Sequence, residues 1–120
     1  MSAITIAAQT ALTATDHAII IGPAWPNIGL TYRMTGADVT EVSQTLGPDG
    51  WVLDMDKVRD AVQSNTRSLF VNSPCNPTGW IMPEAQQKEL LALCREKNIL
   101  LIADEAVSYT HLTLPTIYSV

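Results

Sequence analysis

Charge is scarce in this 120-residue sequence: 16% of residues are charged against 47% hydrophobic, and acids outnumber bases 12 to 7. The resulting formal charge of -5 argues against nucleic acid or an anionic membrane surface as partner. Long apolar runs are absent too; none approaches the roughly 20 residues that span a bilayer. Met1-Ser2-Ala3-Ile4-Thr5 lacks the basic stretch of a secretory signal. Two cysteines, Cys75 and Cys94, make neither a disulfide framework nor a metal quartet, and the expected setting is a reducing cytoplasm. His17 and His111 have no Asp or Ser at triad-like or metal-like spacing. There is no repeat and no low-complexity linker. What remains is a globular composition long enough for one domain with one core.

The hydrophobic pattern alternates in period. Ile4, Ala7, Ala8, Ala11 and Leu12 form a helical stripe over Ser2 to Leu12. Ala18-Ile19-Ile20-Ile21 is a short aliphatic strand stopped by Gly22-Pro23. Asn27 can cap a short helix carrying Ile28, Thr31 and Tyr32, with Gly36 past its end. Val39 to Val42 reads as a strand and Gly47-Pro48-Asp49-Gly50 as a turn. Asp54 has the chemistry of an N-cap, with Leu53 and Val58 placed as a hydrophobic staple on a helix to about Gln63. Ser68 to Asn72 and Ile99 to Ala103 read as buried strands. Between them Pro83 and Glu84 open a helix whose buried face is Leu90, Leu91 and Cys94 and which Asn98 ends. Four helices alternating with four strands predict an α/β fold, with a mostly parallel sheet and helices on both faces.

The most informative stretch joins the last two strands. Ser73-Pro74-Cys75-Asn76-Pro77-Thr78-Gly79 holds two prolines, which keep Ser73 and Asn76 out of helical backbone and lower the cost of a cis peptide. A right-handed crossover brings Asn76 and Asp104 to one carboxyl edge of the sheet, where open α/β sheets bind ligands. Trp25, in the loop after the first strand, emerges at the same edge if that strand is parallel. A carboxylate such as Asp104 at the end of a buried strand is costly unless it meets a cation or donors; capping the next turn is the simpler role. Asn76 offers an NH₂ donor, though Asn before Pro is also common in turns. Trp25 can stack on a flat ligand or be an ordinary core tryptophan. Trp51 and Trp80 take that ordinary role. Cys75 has no basic neighbour in sequence to activate it.

Asn-Pro-Thr-Gly, an Asp 28 positions after its Asn in Asp104-Glu105, and Pro23-Ala24-Trp25-Pro26 together resemble the class I/II aminotransferases. These are pyridoxal-phosphate (PLP) enzymes of fold type I, and the resemblance runs from about Met1 to Ala106. It implies a partial PLP-binding large domain that exchanges an amino group between an amino acid and a 2-keto acid, in a parent that is a homodimer. It further implies cofactor-binding roles: Asp104 on the protonated pyridine nitrogen, Asn76 on the phenolic oxygen, and Trp25 stacked on the ring.

The family's PLP-bearing lysine follows the Asp, whereas Lys57, Lys88 and Lys97 all precede it. Its tyrosine three positions after the Asp is Val107 here, and its Ser-Gly phosphate loop and substrate-carboxylate arginine are not found. The resemblance therefore implies an incomplete, inactive fragment, and a non-catalytic α/β fragment is the rival reading. A third reading takes Ile99 to Glu105 as a Walker-B-like strand, but no Gly-x-x-x-x-Gly-Lys-Ser/Thr loop accompanies it. Residues 107–120 change character. They have no Asp, Glu, Lys or Arg and no helical period, resemble a translated sequencing-adapter tail, and are expected to be unrelated to the domain.

Overall fold

Two apolar layers sandwich a parallel sheet in a computed structural model that describes residues 2–106. The expectations for Val107 and the 107–120 tail fall outside those residues. The elements run α1 (Ser2–Ala11), β1 (His17–Gly22), α2 (Pro26–Arg33), β2 (Asp38–Ser43), β3 (Thr45–Gly47), β4 (Gly50–Val52), α3 (Met55–Ala61), β5 (Thr66–Asn72), α4 (Glu84–Glu96) and β6 (Leu100–Asp104). β2, β1, β5 and β6 lie side by side in that order, and every pairing is parallel.

Alternation along the strands divides the core. Ile19 and Ile21 of β1 and Leu69 and Val71 of β5 pack with Val58, Leu90 and Cys94 of α3 and α4. Ala18, Ile20 and Phe70 point the other way, into a cluster with Ala8 of α1 and Ile28 and Tyr32 of α2. Period-two geometry produces this split, and helices on both faces explain why all of β1 is buried. Each large aliphatic or aromatic side chain so buried contributes roughly 1.5–3 kcal/mol. Tyr32 meets Phe70 edge to face at 6.1 Å between ring centroids, worth about 0.5–1.5 kcal/mol beyond burial.

Local signals explain most of the boundaries. The Asp54 carboxylate accepts the Asp56 N–H at 2.9 Å as the α3 cap, and Leu53 and Val58 share one core cluster. Asn98 leaves α4 with a φ of 55°, a backbone conformation that Asn tolerates better than most residues. The Gly22–Pro23, Ser73–Pro74 and Asn76–Pro77 peptides are cis.

Four details differ from the sequence expectation. Helix α2 begins at Pro26 with Trp25 as its N-cap and no side-chain cap, because proline already has helical φ and lacks the N–H a cap would satisfy. Helix α3 stops at Ala61, two residues short of Gln63. Leu91 is 39% exposed while Leu90 and Cys94 are buried, so the inward stripe of α4 is narrower than its leucines imply. The Gly47-Pro48-Asp49-Gly50 turn closes an antiparallel hairpin, β3–β4; three-residue strands are too short to show a period.

At the amino ends of the strands His17 bolts three of them together. Its Nδ1 lies 2.7 Å from Thr66 Oγ1 on β5 and its Nε2 lies 2.9 Å from Thr40 Oγ1 on β2. Burial depresses its pKa below the ordinary 6.5, and the Asp38 carboxylate offsets this only in part. The unfolded chain then binds a proton that the folded one refuses. The stability contributed by neutral His17 is complete above about pH 6.5 and is lost as pH falls through the lower folded pKa. Urea unfolding between pH 7.5 and 5 should show stability falling with pH, and His17→Gln should flatten that slope. An unchanged slope would rule out His17 as its source.

Both cysteines are buried in the α3/α4-side cluster. Burial pushes the Cys94 thiol up to about 11. A disulfide reagent at pH 8 should therefore react slowly with the native chain and rapidly with both thiols in urea. A fast native burst would show that one of them is reactive.

Candidate functional site

The strand order reverses direction between β1 and β5: β1 leads through α2 outward to β2, whereas β5 leads through α4 outward to β6. The loops leaving these two central strands diverge, and the crevice between them at the carboxyl edge is where open α/β sheets accept ligands. Trp25 stands in the loop after β1, Asn76 in the loop after β5, and Asp104 at the end of β6.

The loop after β5 is fixed by its own polar groups. Gly79 N–H donates to the Cys75 carbonyl at 2.7 Å, and Cys75 N–H donates to the Trp80 carbonyl at 2.8 Å. Met82 N–H reaches Ser73 Oγ at 2.9 Å. Gly79 adopts a φ of +72°, which glycine takes without steric cost. Buried Trp80 and Met82 anchor the loop's return in the core. The Cys75 thiol donates to the Pro23 carbonyl at 3.3 Å, joining this loop to the one after β1. Cys75 thus braces the loop, and Trp80 is a core tryptophan. Trp51 is partly buried against the same core.

Trp25, Asn76 and Asp104 line one cavity of about 280 Å³, together with Ile4, Ile28, Asn72 and Ala106. Trp25 is 49% exposed, so its indole is available to a ligand. The Asn76 carboxamide is exposed and makes no hydrogen bond to a described residue. Asp104 is half-buried; its Oδ1 accepts the Ala106 N–H at 3.0 Å. The turn-capping role open to Asp104 is therefore present, and it engages one of the two carboxylate oxygens. The cavity offers one carboxylate, one free carboxamide and an indole between two isoleucine walls. Such a set suits a flat, partly cationic ring that also carries an acceptor.

Asn72, which also lines the cavity, reads in sequence only as the last residue of an apolar strand. Its side chain is 6% exposed. Its position, one strand residue before a Ser-Pro turn, was the available signal. None of Lys57, Lys88 and Lys97 lines the cavity; all three are exposed, on α3, on α4 and at the end of α4. A second cavity of about 210 Å³ lies on the α4 side of β6, among Val71, Met82, Leu90 and Leu101. Its lining is mostly apolar, with Ser73, Gln87 and Glu105 as its polar members. Among the described residues no helix is long and apolar enough to cross a membrane.

Comparison with known proteins shows the family and the fold. A family model, aminotransferase class I and II, matches residues 1–114. The aspartate/prephenate aminotransferase of Thermus thermophilus is 38% identical over 104 residues, covering 87% of this chain and 26% of that enzyme. The solved N-succinyldiaminopimelate aminotransferase of Mycobacterium tuberculosis superposes with a TM-score of 0.82 at 29% identity, over 86% of this chain and 27% of that one. A double mutant of Thermus thermophilus aspartate aminotransferase gives 0.80 at 36% identity, over 86% and 27%. The chain spans about a quarter of the length of the relatives it matches.

Proposed function

Because the chain belongs to the class I and II aminotransferases, we propose that its Trp25–Asn76–Asp104 cavity is the cofactor half of an aminotransferase site. It would hold PLP for exchange of an amino group between an amino acid and a 2-keto acid. One observation carries the reading: three residues from three separate segments line a single cavity. The reading also takes residues 1–106 as part of a PLP-binding large domain, in a cytoplasmic homodimer.

The donor set fits the group. Asp104 supplies a half-buried anion, which favours the protonated form of a ring nitrogen beside it. Asn76 supplies a free NH₂ donor for the ring's phenolic oxygen. Trp25 supplies a flat face, and Ile4 and Ile28 keep water from the ring edge. When bound, PLP supplies an electron-accepting ring that the protein only orients and charges. About 280 Å³ falls just below the ~300–1,000 Å³ of complete small-molecule sites, so the cavity matches the ring rather than the whole cofactor and substrate.

The test is a chimera in which residues 2–106 replace the matching stretch of the Thermus thermophilus enzyme, assayed with aspartate and prephenate. The chimera should transaminate, and Asp104→Ala should cut its turnover on the order of 100-fold or more, as removal of a preorganised charge does. Near-parental turnover in that variant would sink the assignment of Asp104.

The chain alone should not transaminate, since no lysine of the described residues lines the cavity. Borohydride treatment with PLP should label its exposed lysines without preference. A single strongly labelled lysine would show that one of the three reaches the cofactor.

A further inference from the structure

Asn72 joins the two polar residues of the site through a single planar group. Its Nδ2 donates to the Asp104 carbonyl at 2.9 Å, and its Oδ1 accepts the Asn76 N–H at 2.7 Å. Only one orientation of the carboxamide satisfies both, because the Asp104 carbonyl can only accept and the Asn76 N–H can only donate. Asn72 and Asp104 are also the last paired residues of β5 and β6. The Asp104 carbonyl takes a second bond there, from Ser73 N–H at 3.1 Å. The sheet's final rung is therefore extended by a side chain, and that side chain also grips the loop carrying Asn76. Asn72 is buried, so water does not readily replace either bond, and removing the carboxamide leaves the Asn76 N–H without its acceptor.

We propose that Asn72 is the positioning residue of the site, setting the spacing between Asp104 and Asn76 through their main chains. The proposal rests on the reading of this cavity as a cofactor site. Asn72 itself need not react; it fixes where the carboxylate and the free carboxamide stand relative to each other. Its two bonds serve separable ends, and substitution can remove them separately. Asn72→Ala removes both. Asn72→Asp keeps an acceptor for the Asn76 N–H and loses the donor to Asp104.

Amide hydrogen exchange and amide chemical shifts in the full 120-residue chain test the coupling, and titration with pyridoxamine 5′-phosphate tests its purpose. In Asn72→Ala the Asn76 amide should exchange about tenfold faster or more, as expected for a lost buried hydrogen bond. In Asn72→Asp its protection should persist while the Ser73 and Ala106 amide shifts move. Amides of the β1–β2 pair serve as the folding control in both variants. Asn72→Ala should also weaken pyridoxamine 5′-phosphate binding about tenfold, read at the Trp25 amide, in the same direction as Asp104→Ala. Unchanged Asn76 protection in Asn72→Ala, or equal loss in both variants, would overturn the coupling. Full binding by Asn72→Ala where Asp104→Ala has lost it would overturn its role in the site. Binding indifferent to Asp104→Ala as well would refute the cofactor reading instead, with amide exchange still deciding whether Asn72 couples the two segments.

Discussion

Parallel pairing of β5 with β6 is the constraint on which the site depends. Two parallel strands cannot be joined by a tight turn, so the chain between Asn72 and Leu100 must leave the sheet and return through a helix. The departing loop and the arriving strand end then share one edge, and the register sets Asn72 beside Asp104. Nothing in the loop has to reach far. Its main chain closes on itself through Cys75, Gly79 and Trp80, and Ser73 N–H is tied to the Asp104 carbonyl. An exposed carboxamide on so short a tether has few places to go.

The cavity lies on one side of that edge for a reason that begins in the core. Period-two alternation sends Phe70 and Ile20 toward α1 and α2, and Leu69 and Ile19 toward α3 and α4. Ile4 of α1 and Ile28 of α2 line the cavity, so the first cluster shapes its walls. The second anchors the loop from the opposite face through Cys75, Trp80 and Met82. The two clusters thus contribute differently: one lines the cavity and the other packs under the loop that carries Asn76. By contrast, β6 is only partly covered, with Leu100 49% exposed. An open strand edge with apolar side chains favours association in water.

The sequence disclosed what local chemistry decides and concealed what pairing decides. The aliphatic runs, the Asp54 cap and the turn at Asn98 could be read because a few adjacent residues determine each. Trp25, Asn76 and Asp104 are gathered by the sequence alone because alternation of helix and strand implies parallel strands, and parallel strands share a carboxyl edge. The β3–β4 hairpin could not, since its strands have three residues each. Leu91 misled because its neighbour Leu90 fills the inward position. Asn72 stayed hidden for a deeper reason. An asparagine at a strand end has many uses, and only the register of β5 against β6 shows which carbonyl its NH₂ meets.

A site held through main-chain atoms places uneven demands on its residues. Ser73 grips Asp104 through its own N–H and Met82 through its hydroxyl. Cys75 contributes a backbone N–H and carbonyl to the loop and only a weak thiol donor to Pro23. A different small side chain at Cys75 would leave the two backbone bonds in place. Asn72 has no such latitude, because it must donate from one atom and accept at another within a buried space. Glutamine would add a methylene there, aspartate would lose the donor, and serine could not span the distance. Geometry, not charge, sets the demand on Asn72 at the end of β5, whose carboxamide is already spent on two main-chain bonds.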